Sequence, residues 1–88
     1  MSSATREVSY SQPIEIFDAG EMSCGEGLHM EFRRRVQTLE LGHSIEFVVR
    51  HPSAKEDLPA LARMMGHRIR SAEDRPDGAL SVVVERAR

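Results

Sequence analysis

The segment DAGEMSCGEGL, residues 18–28, joins a strand-like pattern to a helix-like pattern and contains Cys24, the only cysteine of the chain. Before it, PIEIFDA (residues 13–19) places Ile14 and Ile16 in alternation with other residues, which is typical of a short strand. Asp18 and Gly20 are turn residues, so we expect the strand to end where the segment begins.

A helix is predicted after this strand. Apolar residues recur at intervals of three or four, as on one face of a helix: Leu28, Phe32, Val36 and Leu39. Ser23 followed by Glu26 fits a capping box, and Gly42 fits a helix end. We therefore expect the first helix to run from about Cys24 to Glu40, with Cys24 at its start.

The rest of the chain reads as a strand, a helix and a hairpin. HSIEFVVRH (residues 43–51) is apolar enough for a central strand, which Pro52 ends. A helix is predicted over residues 55–65, with Pro59 tolerable only in its first turn and Gly66 as its stop. Two further strand patterns, residues 67–74 and 78–87, are joined by the turn RPDG.

These elements predict an α+β fold in the order β-α-β-α-β-β. A two-layer α/β sandwich, with a mixed four-stranded sheet and both helices on one face, satisfies the rules of chain connection. Residues 1–12 are polar and precede Pro13, so we expect a flexible N-terminal tail followed by one domain over residues 13–88.

Composition restricts the class of protein. A net charge of -2 and a pI near 6.1 give no strong signal for nucleic acid or for a membrane surface. No window is apolar enough for a membrane span, and the N-terminus does not resemble a signal peptide. A single cysteine favours a reducing compartment, so we expect a cytoplasmic protein.

Cys24 is the first candidate for chemistry because of the predicted helix start. Free amide groups and the positive end of the helix dipole stabilise a thiolate, which is the reactive form of cysteine. The glycines around Cys24 permit close approach of a ligand, whereas Glu21 and Glu26 oppose the thiolate by their charge. A lone cysteine is also often buried and inert, so position alone leaves both roles open.

On these residues the chain resembles the TusA/SirA-like sulfur-carrier family. DAGEMSCGEGL is similar to that family's opening motif, in which a strand ends in Asp and a short loop leads to Cys-Pro at the head of the first helix. LELGHSIEFVVRHPSAKEDLPALARMMGH (residues 39–67) is similar to the family's next strand, its proline turn, the acidic residue before Leu-Pro, and the following Gly-His. The resemblance covers about residues 13–87.

The resemblance implies a sulfur relay that needs no metal and no organic cofactor. Cys24 would accept sulfur from a donor such as a cysteine desulfurase, hold it as a persulfide, and pass it to an acceptor that the sequence does not identify. The residues expected to support Cys24 are its neighbours in the motif: Asp18, Ser23, Gly25 and Glu26.

The chain departs from the family pattern in three places. Cys-Gly-x-Gly (residues 24–27) replaces Cys-Pro-x-Pro, Gly20-Glu21 replaces Arg-Gly, and His51 replaces the Asp before the downstream proline. These departures leave a second function open, namely a non-catalytic interaction or regulatory domain that keeps the fold.

Two other groups of residues are candidate sites. The four histidines lack the paired spacing of a metal site, and His67 after Gly66 is expected mainly to hydrogen-bond the helix end. Arg33, Arg34 and Arg35 form a basic run that could dock an acidic partner, as could His67, although such a run is more often a solvated helix face. Only some of the three arginines can point the same way on a helix.

Overall fold

The computed structural model describes residues 13–23, 25 and 27–88. Its elements are β1 (Glu15–Gly20), α1 (Leu28–Gln37), β2 (Ser44–Val49), α2 (Pro52–Met64), β3 (Arg68–Asp74) and β4 (Leu80–Glu85). The predicted order and the α+β two-layer sandwich are therefore confirmed. The tail predicted at residues 1–12 lies outside the described residues.

The sheet has the strand order β1-β2-β4-β3, with β1 parallel to β2 and the other two pairs antiparallel. Gly20 pairs with Val49, and Val49 lies opposite Leu80. We call this end of the sheet, where β1 and β2 finish, the carboxyl edge. The opposite end, where Glu85 faces both Ser44 and Arg68, is the amino edge.

The core lies between the helices and one face of the sheet. Phe32 of α1 and Phe47 of β2 are fully buried, with ring centroids 5.1 Å apart. Phe17 of β1 meets Phe47 edge-on at 6.1 Å. Burial of an apolar side chain of this size contributes about 1.5–3 kcal/mol. The aromatic contacts thus join β1 and α1 to the central strand β2.

The predicted start of the first helix at Cys24 is wrong, because α1 begins at Leu28. Gly27 is the N-cap residue, with a φ of 106° that L side chains rarely adopt, and no side chain of the described residues makes a capping hydrogen bond to it. The predicted capping box involves Glu26, which lies outside the described residues, and it stays a prediction. At its other end α1 stops at Gln37, with Thr38 as the C-cap residue, and not at Glu40 as predicted.

The second helix begins earlier than predicted, at Pro52 rather than at Lys55. Proline suits the first helical position because its missing N–H would have no partner there. His51 is the N-cap, and its Nδ1 accepts a hydrogen bond from the Ser53 N–H at 3.1 Å. The sequence predicts Pro59 in the first turn of this helix. Because α2 begins at Pro52, Pro59 instead lies inside the helix.

The end of α2 and the hairpin turn agree with prediction. Gly66 has a φ of 85° and follows the last turn of α2. The Gly66 N–H donates to the Arg63 carbonyl at 3.0 Å and the His67 N–H to the Ala62 carbonyl at 2.9 Å, which is the Schellman pattern. In the hairpin, Gly78 has a φ of 90°. Among the described helices, none has the length and apolar character to cross a membrane.

Candidate functional site

The loop between β1 and α1 is fixed at both of its ends. At the first end, Asp18 Oδ1 accepts a hydrogen bond from the Gly20 N–H at 2.9 Å, and Gly20 has a φ of 58°. At the second end, the Leu28 N–H donates to the Ser23 carbonyl at 3.4 Å. The loop therefore leaves the carboxyl edge from one anchored turn and enters α1 through another.

The predicted site residues of this loop fall into two groups. Asp18 and Gly25 are exposed and Ser23 is half-buried, all of them in the chain segment at the carboxyl edge. Cys24 and Glu26 lie outside the described residues, so their predicted roles stay predictions. The sequence nevertheless fixes Cys24 between Ser23 and Gly25 along the chain.

The first turn of α1 follows directly after this loop. The Glu31 N–H donates to the Gly27 carbonyl at 3.0 Å, and the Leu28 N–H is taken by Ser23. The N–H groups of His29 and Met30 find no acceptor among the residues that the structure describes. Such amides carry the positive end of the helix dipole, so this end of α1 favours a nearby negative charge.

Arg50 is a cation at the carboxyl edge that is not among the predicted site residues. Its N–H donates to the Gly20 carbonyl at 3.2 Å, and its Nη2 lies 3.0 Å from Asp77 Oδ2. The hydrogen bond and charge of Asp77 raise the pKa of Arg50, and the carboxylates of Asp18 and Glu21 contribute less. Parallel pairing of β1 with β2 places the residue after β2 beside the end of β1, and this is the signal that could identify Arg50.

The hairpin turn between β3 and β4 reaches the same edge. Asp77 Oδ1 accepts a hydrogen bond from the Ala79 N–H at 3.1 Å while Oδ2 binds Arg50. The pKa of Asp77 is lowered below its ordinary value, mainly by the hydrogen bond from the Ala79 N–H and secondly by the hydrogen bond from Arg50. Lys55 Nζ donates to the Gly78 carbonyl at 2.5 Å. The carboxyl edge therefore combines two fixed cations with the acidic groups of the loop.

The three arginines of α1 do not act as one group. Arg35 Nη1 binds Glu15 of β1 at 2.6 Å, and its guanidinium lies 4.1 Å from the centroid of the Phe17 ring. Arg34 pairs with Glu31 at 2.8 Å but is 66% exposed, and Arg33 is exposed. Arg35 thus ties the helix to the sheet, and only its two neighbours face solvent.

His67 lies at the amino edge, away from the loop that carries Cys24. It is 9% exposed, and its Nδ1 accepts a hydrogen bond from the Ala87 N–H at 3.2 Å. Burial lowers the pKa of His67, and the charges of Arg86 and Arg88 lower it further. Its backbone N–H closes the end of α2, as predicted, whereas its side chain serves the C-terminal segment instead.

The described residues contain no group of three His, Cys, Asp or Glu side chains that could hold a metal ion. The arrangement at the carboxyl edge instead offers charge and amide groups around a loop with one thiol in its sequence. Cations and unpaired amide groups of this kind stabilise anions.

Comparisons with known proteins place the chain in a family. The sequence model described as Sulfurtransferase TusA matches residues 16–86, from β1 to just past β4. The structure is similar to a SirA-like protein from Desulfitobacterium hafniense, with a TM-score of 0.68 and 16% identity, covering 85% of this chain and 100% of that one. A search of the curated proteins finds no match. The structural likeness supports the fold, and the family match shows that this chain belongs to the TusA sulfurtransferase family.

Proposed function

We propose that this chain is a sulfur carrier in which Cys24 holds the transferred sulfur as a persulfide. The observation that carries the proposal is the match to the sulfurtransferase family together with a single cysteine in the whole sequence. A persulfide requires a thiol, and no other side chain of the chain provides one. The role of a TusA-family protein in carrying sulfur therefore falls to Cys24.

The transfer step balances without an external oxidant or reductant. The Cys24 thiolate attacks the terminal sulfur of a persulfide on a donor protein such as a cysteine desulfurase. A new S–S bond forms on Cys24, the S–S bond of the donor breaks, and the donor cysteine leaves as a thiolate. Attack by an acceptor nucleophile on the terminal sulfur of Cys24 then releases the Cys24 thiolate.

Two features of the carboxyl edge support a reactive thiolate. The His29 and Met30 amides, which have no acceptor among the described residues, and the guanidinium of Arg50, which is bound to Asp77, carry positive charge. Positive charge of this kind favours the charged form of a nearby sulfur. Because α1 begins at Leu28, the helix start is further from Cys24 in the chain than predicted. The proposal therefore relies more on the charge of Arg50 than on the helix dipole to stabilise the thiolate. Hydrogen bonds to Asp18 and Ser23 hold the two ends of the loop.

The same proposal assigns the donor a docking surface on α1. Arg33 and Arg34 are exposed and carry the charge that an acidic surface of the donor would meet. Arg35 and His67, predicted with them, are held by contacts within the fold. The structure therefore gives more support for docking by Arg33 and Arg34 than for docking by Arg35 and His67.

Sulfur loading tests the proposal. The protein is incubated anaerobically with a cysteine desulfurase and L-cysteine, and its intact mass is measured over time. We expect one added sulfur on the wild type and none on Cys24→Ser. Arg50→Gln keeps the thiol but removes the cation, so it should load more slowly.

A wild-type protein that stays unmodified would contradict the sulfur-carrier proposal. Alkylation of the folded protein at neutral pH then separates the remaining explanations. A thiol that reacts no faster than free cysteine would favour the alternative function, an interaction domain that keeps the fold without the relay.

A further inference from the structure

The arginines of the described residues differ in their partners. Ion pairs with carboxylates are made by Arg34, Arg35, Arg50, Arg70 and Arg75. No ion pair within the described ranges is made by Arg33, Arg63, Arg68, Arg86 or Arg88. Except for Arg33 on α1, these unpaired arginines gather where α2 ends, β3 begins and the C-terminal segment follows β4. Four arginines without an ion pair among the described residues thus lie near the amino edge of a chain whose net charge is -2.

An open hollow of about 530 Å³ lies next to two of these arginines. It is lined by Arg63 of α2, by His67, and by Arg68, Ile69 and Arg70 of β3. Arg63 and Arg68 are exposed, and Arg70 is bound to Glu85 at 2.9 Å. Arg63 and Arg68, from different elements, therefore line the hollow and make no ion pair among the described residues, whereas Glu85, opposite Arg68 in the sheet, is bound to Arg70.

The C-terminal segment adds the positive charges of Arg86 and Arg88 near the hollow. A Cβ atom built on Gly66 would lie 2.5 Å from Cδ of Arg88, so the Arg88 side chain covers the end of α2. Arg86 donates to the carbonyls of Leu39 at 2.6 Å and Gln37 at 3.0 Å, which fixes its charge near the end of α1. The charges of Arg86 and Arg88 also contribute to the lowered pKa of His67.

We propose that this hollow binds an oxyanion of the phosphate or sulfate class, held by the guanidinium groups of Arg63 and Arg68. Guanidinium groups donate paired hydrogen bonds that match the oxygen spacing of such anions. Ile69 is the one apolar residue of the lining, so the hollow lacks the apolar and aromatic centre that protein interfaces usually contain. The chemistry favours an anion over a protein segment.

The hollow is distinct from the proposed sulfur site. It lies at the amino edge, whereas the loop that carries Cys24 leaves β1 at the carboxyl edge. A strand of six residues spans about 17–20 Å, so a persulfide on that loop would be far from Arg63 and Arg68. Anion binding therefore does not depend on sulfur transfer, and it should persist in Cys24→Ser.

Titration with inorganic phosphate and with sulfate, followed by NMR of the backbone amides at constant ionic strength, tests the proposal. We expect saturable shifts centred on residues 63 and 67–70. The double variant Arg63→Gln/Arg68→Gln should bind at least tenfold more weakly, because it removes both guanidinium groups that donate to the anion. Arg75→Gln is the matched control, with a single charge removed at the far end of β3, and should keep the wild-type affinity.

A second titration with a single-stranded oligonucleotide of about ten nucleotides distinguishes the source of the phosphate. Tighter binding than inorganic phosphate, lost in the double variant, would identify a nucleic-acid backbone as the source. Binding of the free anions alone would identify a small ligand. Absence of saturable shifts, equal weakening by Arg75→Gln, or a response to polyglutamate but not to phosphate would overturn the proposal. Circular dichroism checks that the double variant is folded.

Discussion

His67 shows how one buried side chain makes the stability of this fold depend on pH. Its Nδ1 accepts the Ala87 N–H, so the neutral ring suits the folded protein. Burial, with the charges of Arg86 and Arg88, lowers the pKa of His67 below 6.5. The unfolded chain therefore takes up a proton at higher pH than the folded one does. We expect the free energy of unfolding in urea to be largest above pH 6.5 and to fall as the pH is lowered toward the folded-state pKa, by at most about 1.4 kcal/mol per pH unit.

The variant His67→Gln provides the control for this pH dependence. Glutamine offers an acceptor but does not ionise, so the decline in stability below pH 6.5 should become shallower. NMR of the His67 ring gives a direct check in the folded protein. A titration midpoint at or above 6.5 would show that the fold does not oppose protonation of this residue.

Residues with contacts across the fold were the hardest to assign from sequence. Arg35 belongs to a basic run that resembles a solvated helix face, yet it binds Glu15 and stacks on Phe17. Arg50 follows a strand and has no local motif, yet it joins β1 to the hairpin turn. Their partners are 20 and 27 residues away in the chain, beyond the range of local sequence patterns.

At the scale of the elements, the start of α2 depends on the side chain of His51. Its Nδ1 caps the helix through the Ser53 N–H at 3.1 Å. His51→Ala removes this acceptor and should lower the free energy of unfolding by about 1 kcal/mol, a fall of about 4–8 °C in the melting temperature. His51→Asp should restore or exceed wild-type stability, because aspartate is a strong N-cap and its charge complements the helix dipole. Thermal unfolding at neutral pH measures both variants, and an unchanged melting temperature for His51→Ala would show that the cap contributes nothing.

Element types and order were predictable, whereas two helix starts were not. The apolar stripe from Leu28 to Leu39 and the run from Ile45 to Val49 identify the core elements. The signals for the starts were ambiguous, because Ser23 and Glu26 match a capping box but Gly27 is the N-cap. A histidine is an uncommon N-cap, so the sequence pattern indicates Pro52 as the end of a strand, whereas it is the first residue of α2. The stops at Gly66 and Gly78 were predictable because a positive φ there favours glycine.

For the molecule as a whole, the sequence predicted the layers better than the site. Hydrophobic periodicity determines which face of each element is buried, and that is enough to assemble a small two-layer domain. The site depends on which strand ends share an edge. That arrangement gathers Asp18, Arg50 and Asp77 at the carboxyl edge and places His67 at the opposite end of the sheet. A motif read along the chain could identify the cysteine loop but not the groups brought to it by the sheet.

The cooperativity of the molecule depends on Phe47, which is fully buried on the central strand and contacts the rings of Phe17 and Phe32. Phe47→Ala should lower the free energy of unfolding by about 3–5 kcal/mol, because it leaves a cavity where three elements meet. The total free energy of unfolding of a native domain is about 5–15 kcal/mol, so the variant should be close to unfolding in water. Met30→Ala, at a side chain that is 74% exposed, should change stability by no more than about 0.5 kcal/mol. Urea unfolding followed by circular dichroism compares the two, and similar midpoints would show that the aromatic cluster does not hold the two layers together.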